Sequence, residues 1–233
     1  MSTTDQHAHG GGSRAADRPT DHRGRYVPDG SWPPGRGAPE PLERVRRFVN
    51  TANPESGADH FETPASLAAW LEREGYGRPR VTERDRTRAV LLRAAVRELA
   101  IANHEREHEG AAGPHAAEAH RLLDGLAGDL PLVVRFAPEP ALVPTSAGVD
   151  GVLSSLVATV HDAMVAGTWS RLKACRNSHC RWAFYDHSRN SSGAWCSELA
   201  CGSRMKVRAY RARQRAGRDA VAADAPPPDE GDR

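Results

Sequence analysis

All four cysteines of this 233-residue chain, Cys175, Cys180, Cys196 and Cys201, fall in its last quarter. They form two C-x4-C pairs fifteen residues apart, and a strongly basic segment follows at once. Four thiols in two short pairs make an all-sulfur tetrahedral set, the environment that a structural zinc ion prefers. Each pair can present both sulfurs from one tight knuckle, and the intervening residues can fold as a hairpin that brings the knuckles together. A closed four-ligand shell leaves no position for a reacting water, so the implied cofactor is one structural Zn2+. A module this small has little apolar surface to bury, so metal binding is expected to supply most of its folding free energy. His179 and His187 lie close enough to replace one thiol, which keeps a site of three cysteines and one histidine open.

Two disulfides are the competing use of four cysteines, and they belong to oxidising compartments. No stretch approaches the roughly 18 apolar residues of a membrane helix, and the first 41 residues have no apolar run of the kind a secretory leader needs. The expectation is a cytoplasmic chain with reduced thiols, no membrane partner, and metal in preference to disulfides.

A net charge of +2 conceals a segregation. Between Ser170 and Arg218, twelve Lys and Arg face only Asp186 and Glu198, a balance of +10 that leaves −8 for the rest of the chain. Even after four thiolates and one Zn2+ subtract two, the segment stays near +8. Charge of this kind points to a polyanion partner for the C-terminal piece alone. At about 100° per residue, Arg204, Arg208, Arg211 and Arg215 share a helical sector about 60° wide. Met205, Ala209, Ala212 and Ala216 fill the neighbouring sector, expected to pack on the zinc module. Lys206 and Arg213 add charge on a third face. Such spacing suits phosphate tracking, with counterion release making binding salt-sensitive. Trp182, Phe184 and Trp195 flank the knuckles. Alternation in a strand sets Trp182 and Phe184 against Tyr185, and these aromatics serve either as a small core over the metal or as base-stacking surfaces.

Upstream, residues 1–40 are rich in Gly, Pro and charge without periodicity and read as a disordered tail. Helical spacing of Leu42, Val45, Phe48 and Val49 predicts a short helix ending near Asn50. Thr63 as N-cap, Pro64 at N1 and Gly75 as terminator bracket a second helix burying Leu67, Trp70 and Leu71. Thr82 and Asp85 start a third, running to about Asn103, and a fourth follows Pro114 with Leu122, Leu123 and Leu126 inward. Leu132 to Phe136 and Ala141 to Val143 read as strands, and the stripe from Val149 to Val165 as a long apolar-faced helix. The fold class is therefore α+β. A mainly helical N-terminal domain with a small β element (41–170) precedes a small four-cysteine zinc module of knuckles, β-hairpin and basic helix (171–218). An acidic tail (219–233) closes the chain.

One motif competes with this picture. His104-Glu105-Arg106-Glu107-His108 matches H-E-x-x-H, which in metalloproteases sets two zinc ligands one turn apart with a general base between. Charged variable positions and polar flanks argue against a buried catalytic helix. His115 and His120, the available third ligands, lie beyond a break. The reading is a frayed, charged helix end, and no enzyme.

With these residues in view, the segment Leu172 to Arg215 resembles the CGNR zinc-finger family. It carries both C-x4-C pairs, the W-x-F-x-D-x-S-x-N run of Trp182, Phe184, Asp186, Ser188 and Asn190, and a C-G-x-R-x-K sequence with a basic tail. Ser203 stands where that family has Asn. Upstream, Phe48-Val49-Asn50-Thr51 and the Thr-Pro-x-x-Leu-x-x-Trp-Leu helix from Thr63 are similar to the ABATE domain. The resemblance implies a bacterial transcription regulator, of a group partly linked to stress responses, with the four cysteines as zinc ligands and duplex DNA as partner. The expected phosphate contacts are Arg204, Lys206, Arg208, Arg211, Arg213 and Arg215, supported by Arg181 and Arg189. The N-terminal domain is expected to sense a small-molecule or protein effector or to pair subunits as a homodimer. An RNA- or ribosome-associated protein using the same basic surface is the alternative.

Overall fold

The structure, a computed structural model, describes residues 37–109 and 114–223, so the expected tails fall largely outside the described residues. The fold is α+β, as expected. The helices are α1 Leu42–Val49, α2 Pro64–Arg73, α3 Glu83–Glu109, α4 Pro114–Gly128, α5 Gly148–Val165 and α6 Ser203–Ala223. Two antiparallel hairpins complete it, β1 Leu132–Arg135 with β2 Ala141–Pro144, and β3 Leu172–Ala174 with β4 Ala183–Tyr185.

Local chemistry sets the helix boundaries where the sequence placed signals. At α2, the Thr63 Oγ1 accepts the Ser66 N–H at 3.1 Å while Ser66 Oγ accepts the Thr63 N–H at 3.0 Å. That reciprocal pair satisfies two orphan donors of the first turn. Gly75, at φ +83°, turns the chain so that the Tyr76 N–H reaches the Leu71 carbonyl at 2.9 Å. At α3, Thr82 and Asp85 exchange the same kind of bonds, at 2.8 and 3.3 Å. Helix α3 then runs on to Glu109, past the end expected near Asn103. Asn103 and His104 are buried, 1% and 5% exposed, so tertiary packing extends the helix beyond the point where its polar sequence predicts an end.

The main core joins α1, α2, α3 and α5. Phe48, Phe61 and Trp70 meet at ring separations of 5.6 Å and 5.3 Å, the latter edge-on. Leu92, Val96 and Leu99 of α3 and Val152, Leu153 and Leu156 of α5 fill its centre. The expected stripe of α5 runs off the core at its last turn, where Val165 is exposed. Of the three leucines expected inward in α4, only Leu123 is buried, while Leu122 and Leu126 are half-buried; Ala116 and Ala119 are buried with it. Arg93 of α3 is buried against Phe61, bonding Asp59 through both terminal nitrogens at 2.6 Å and lying 4.9 Å above the Phe61 ring. Burial alone would raise the Asp59 pKa, but the Arg93 bonds and the Phe61 N–H outweigh it and hold the carboxyl below its usual range.

From α5 a single 3-10 turn, Trp169–Arg171, leads straight into β3. The β3–β4 hairpin then serves two cores at once. Ala183 and Tyr185 join the main core, whereas Trp182 and Phe184 turn toward the cysteines. The Asn50 carboxamide acts as a surrogate strand against β4, donating to the Ala183 carbonyl at 2.9 Å and accepting the Ala183 N–H at 2.8 Å. On the other side, Asn103 Nδ2 donates to the carbonyls of Trp169 and Leu172 at 2.9 and 2.8 Å. The cysteine-bearing module is therefore seated on α1 and α3.

Replacing Asn50 with Ala strips both partners from the Ala183 backbone and should lower stability by about 2–4 kcal/mol in urea unfolding. An unchanged midpoint would mean that the seating does not depend on this carboxamide.

Candidate metal centre and basic helix

Each knuckle closes by the same device. In the first, the Asn177 carbonyl collects the N–H groups of Cys180 and Arg181 at 2.8 and 3.1 Å. In the second, the Ser197 carbonyl collects those of Cys201 and Gly202 at 2.9 and 3.1 Å, and Ser197 Oγ accepts the Ala200 N–H at 3.2 Å. The β3–β4 hairpin encloses the first knuckle. That differs from the expected hairpin between the knuckles, because the pairing residues lie just outside Cys175 and Cys180, with the Cys175 N–H bonded to the Trp182 carbonyl at 2.9 Å. Residues 186–195 instead form the return loop, tied at its end by the Arg176 N–H on the Ala194 carbonyl at 3.0 Å.

The four sulfurs are fully buried, all within 4.8 Å of one another. Cys196 Sγ lies 3.6 Å from Cys180 Sγ and 3.7 Å from Cys201 Sγ. A tetrahedron with Zn–S bonds of about 2.3 Å has S–S edges of about 3.8 Å, so the spacing fits a tetrathiolate ion. Without a cation, sulfur–sulfur hydrogen bonding divides the set. It holds the thiols of Cys175 and Cys201 down and pushes those of Cys180 and Cys196 up. Four thiolates at this distance would repel one another, and a divalent ion among them would offset that charge. Cys201 is the best-supported sulfur, with Asn177 Nδ2 and Arg204 Nη2 each 3.7 Å away. Neither candidate histidine joins the cluster: His179 is exposed, and His187 donates from Nε2 to the Gly37 carbonyl at 2.7 Å. Phe184 and Trp182 are buried against the sulfurs and Trp195 is half-buried there, which is the small-core role for these aromatics.

The return loop hangs on one buried carboxylate. Asp186 and Lys173 are both 0% exposed, with Nζ 3.0 Å from Oδ2. Asp186 also accepts the N–H groups of Ser188 and Gly193, at 3.0 and 2.7 Å, while Lys173 donates to the Ser191 carbonyl as well. Burial opposes the charge, but these donors outweigh it and bring the Asp186 carboxyl down to about 2. Gly193 is required here, because an added Cβ would sit 2.7 Å from Asp186 Oδ1. Asp186→Asn removes the carboxylate that faces the buried Lys173 ammonium and should cost about 3–5 kcal/mol in denaturant unfolding. A cost below about 1 kcal/mol would remove Asp186 from this role.

The basic residues separate into two groups. Arg204 is half-buried and turned inward, paired with Glu55, bonded to the Ala200 carbonyl at 3.3 Å and reaching Cys201. Lys206 is exposed and 2.7 Å from Glu198. Arg208, Arg211, Arg213 and Arg215 are exposed and pair with no described residue. Arg189 is exposed on the return loop, and Arg181 is half-buried at φ +49° in the first knuckle. The expected packing of Met205, Ala209, Ala212 and Ala216 on the zinc module does not occur. Only Met205 is half-buried, and the three alanines are exposed. Rising about 1.5 Å per residue, a helix that starts at the rim of so small a module leaves it within one turn. Ser203, at the family Asn position, is exposed and donates to the Glu198 carbonyl at 3.4 Å.

The H-E-x-x-H motif also reads differently. His104 is not on a frayed end. It is buried against Phe184 and donates from Nε2 to the Ala174 carbonyl at 2.8 Å, one residue before Cys175. Burial, with the nearby Lys173 charge, lowers its pKa from 6.5 to about 4, so the ring is neutral. Among the described residues, the four cysteines are the only group of three or more potential metal ligands. Asn50, Asn103, His104 and Glu55, which seat the module, gave no sequence signal of that role beyond the position of Asn50 in the Phe48–Thr51 run.

Two family models match the chain. Residues 43–167 match ABATE, described as "Putative stress-induced transcription regulator", and residues 171–214 match the CGNR zinc finger. The ABATE match covers more than half of the 233 residues, and the chain belongs to that family, with a CGNR zinc finger following. No curated protein matches it.

Proposed function

We propose that this chain is a zinc-dependent, DNA-binding transcription regulator. Cys175, Cys180, Cys196 and Cys201 hold one structural Zn2+, and Lys206, Arg208, Arg211, Arg213 and Arg215 contact the phosphate backbone of duplex DNA. The observation that carries the reading is four exposed guanidiniums, without a partner among the described residues, on a helix that begins two residues after the last sulfur. Fixed cations at helical spacing neutralise phosphates and release counterions, which gives affinity without sequence preference. The metal acts by folding the knuckle from which that helix departs. A closed sulfur shell does no chemistry on a substrate, and the ABATE description supports regulation over catalysis.

Arg204 has a different part in this reading. Its charge sits between the Cys201 sulfur and Glu55, where it offsets the negative tetrathiolate and anchors the helix base. The test compares the zinc-loaded chain with the chelated chain and with Cys175→Ser, on duplex DNA of random sequence and on structured RNA at matched salt. The expected outcome is one zinc per chain, salt-sensitive DNA binding, and loss of both in Cys175→Ser. Equal DNA binding by the metal-free chain would contradict the proposal, and a preference for structured RNA would favour the RNA alternative.

A further inference from the structure

We infer that α6 enters the major groove of B-form DNA, with cations on two opposite flanks reaching the two phosphate strands and Val207, Tyr210 and Gln214 facing the base edges. This rests on the nucleic-acid reading above and adds a groove, an orientation and base-facing residues to it. Every residue from Lys206 to Arg218 is exposed, so the helix stands clear of the body on all sides. A bare helix with side chains is about 10–12 Å across, and the B-DNA major groove is about 12 Å wide. At a rise of about 1.5 Å per residue the exposed stretch is about 20 Å long, or about six base pairs at 3.4 Å each.

The distribution of charge around the helix supplies the orientation. Taking Arg204 as the origin and about 100° per residue, Arg208, Arg211, Arg215 and Arg218 lie within about 40° of it. Arg213 and Lys206 lie at about 180–200°, on the far side. A helix lying along one strand needs cations on a single face. Cations on two opposed faces match a groove with a phosphate wall on either hand. Two sectors separate these flanks. One holds Met205 and the alanines, and its start is turned to the protein, since Arg204 and Met205 are the half-buried positions among the described side chains of the helix. The other, at about 240–300°, holds Tyr210, Gln214 and Val207 and points away from the body. Val207 and Tyr210 are 48% and 57% exposed, the large apolar side chains left open among the described side chains of this helix. In a groove they gain what solvent denies them, contact with thymine methyl groups and base edges, while Gln214 has the donor and acceptor that pair with adenine N7 and N6. The major groove of A-form RNA is too deep and narrow for a helix, so the same geometry selects DNA over duplex RNA.

The test uses the full zinc-loaded chain on a duplex selected from a random pool, with variants checked for helix content and zinc. Arg211→Ala and Arg213→Ala, from opposite flanks, should each reduce the slope of log affinity against log salt by about 1. Guanine N7 in the bound site should be protected from methylation, and Gln214→Ala should flatten the preference at one base pair without altering the slope. Binding that loses slope only with Arg211→Ala, or leaves N7 reactive, would overturn groove insertion while leaving DNA binding intact. Equal affinity for duplex RNA would overturn it as well. Failure to bind any duplex at low salt would overturn both this inference and the function on which it rests.

Discussion

Four sulfur atoms within 4.8 Å of one another, each closed off from water, form an arrangement that is unfavourable as thiolates without a cation and gains little as thiols. A divalent ion held among the sulfurs would convert that repulsion into a strong local constraint. The first knuckle fixes the turn of the β3–β4 hairpin. The second fixes the start of α6, which leaves the surface two residues beyond Cys201. Arg204 joins the two scales, touching a sulfur on one side and an N-terminal carboxylate on the other.

The finger is not an appendage. Its hairpin turns Ala183 and Tyr185 into the main core and Trp182 and Phe184 onto the sulfurs. Asn50, Asn103 and His104 hold its backbone from α1 and α3, each by hydrogen bonds to backbone carbonyls or N–H groups. Three hydrogen-bonding side chains, with the Glu55–Arg204 ion pair, thus connect the helical domain to the cysteine module and the base of α6.

Much of this was legible in the sequence because it is local. The cysteine spacing, the Thr63 and Thr82 caps, the period-2 alternation of Trp182 to Tyr185 and the arginine stripe are all written within a few residues of where they act. The rest depends on partners far along the chain. Nothing near Asn50 indicates that its carboxamide pairs with Ala183, and the charged surroundings of His104 suggest an exposed end where the fold buries the ring. Arg204 belongs to the arginine stripe by angle but not by surroundings, because Glu55 claims it. The alanine stripe of α6 misled for a related reason. Periodicity identifies a face without saying whether a partner lies opposite it.

Amide hydrogen exchange on the reduced chain, with zinc and after chelation, tests the central claim most directly. Metal removal should release protection across residues 172–202 while the amides of α3 and α5 that surround Leu92, Val96 and Leu153 keep most of theirs. Protection of residues 172–202 that survives full removal of metal would contradict the account.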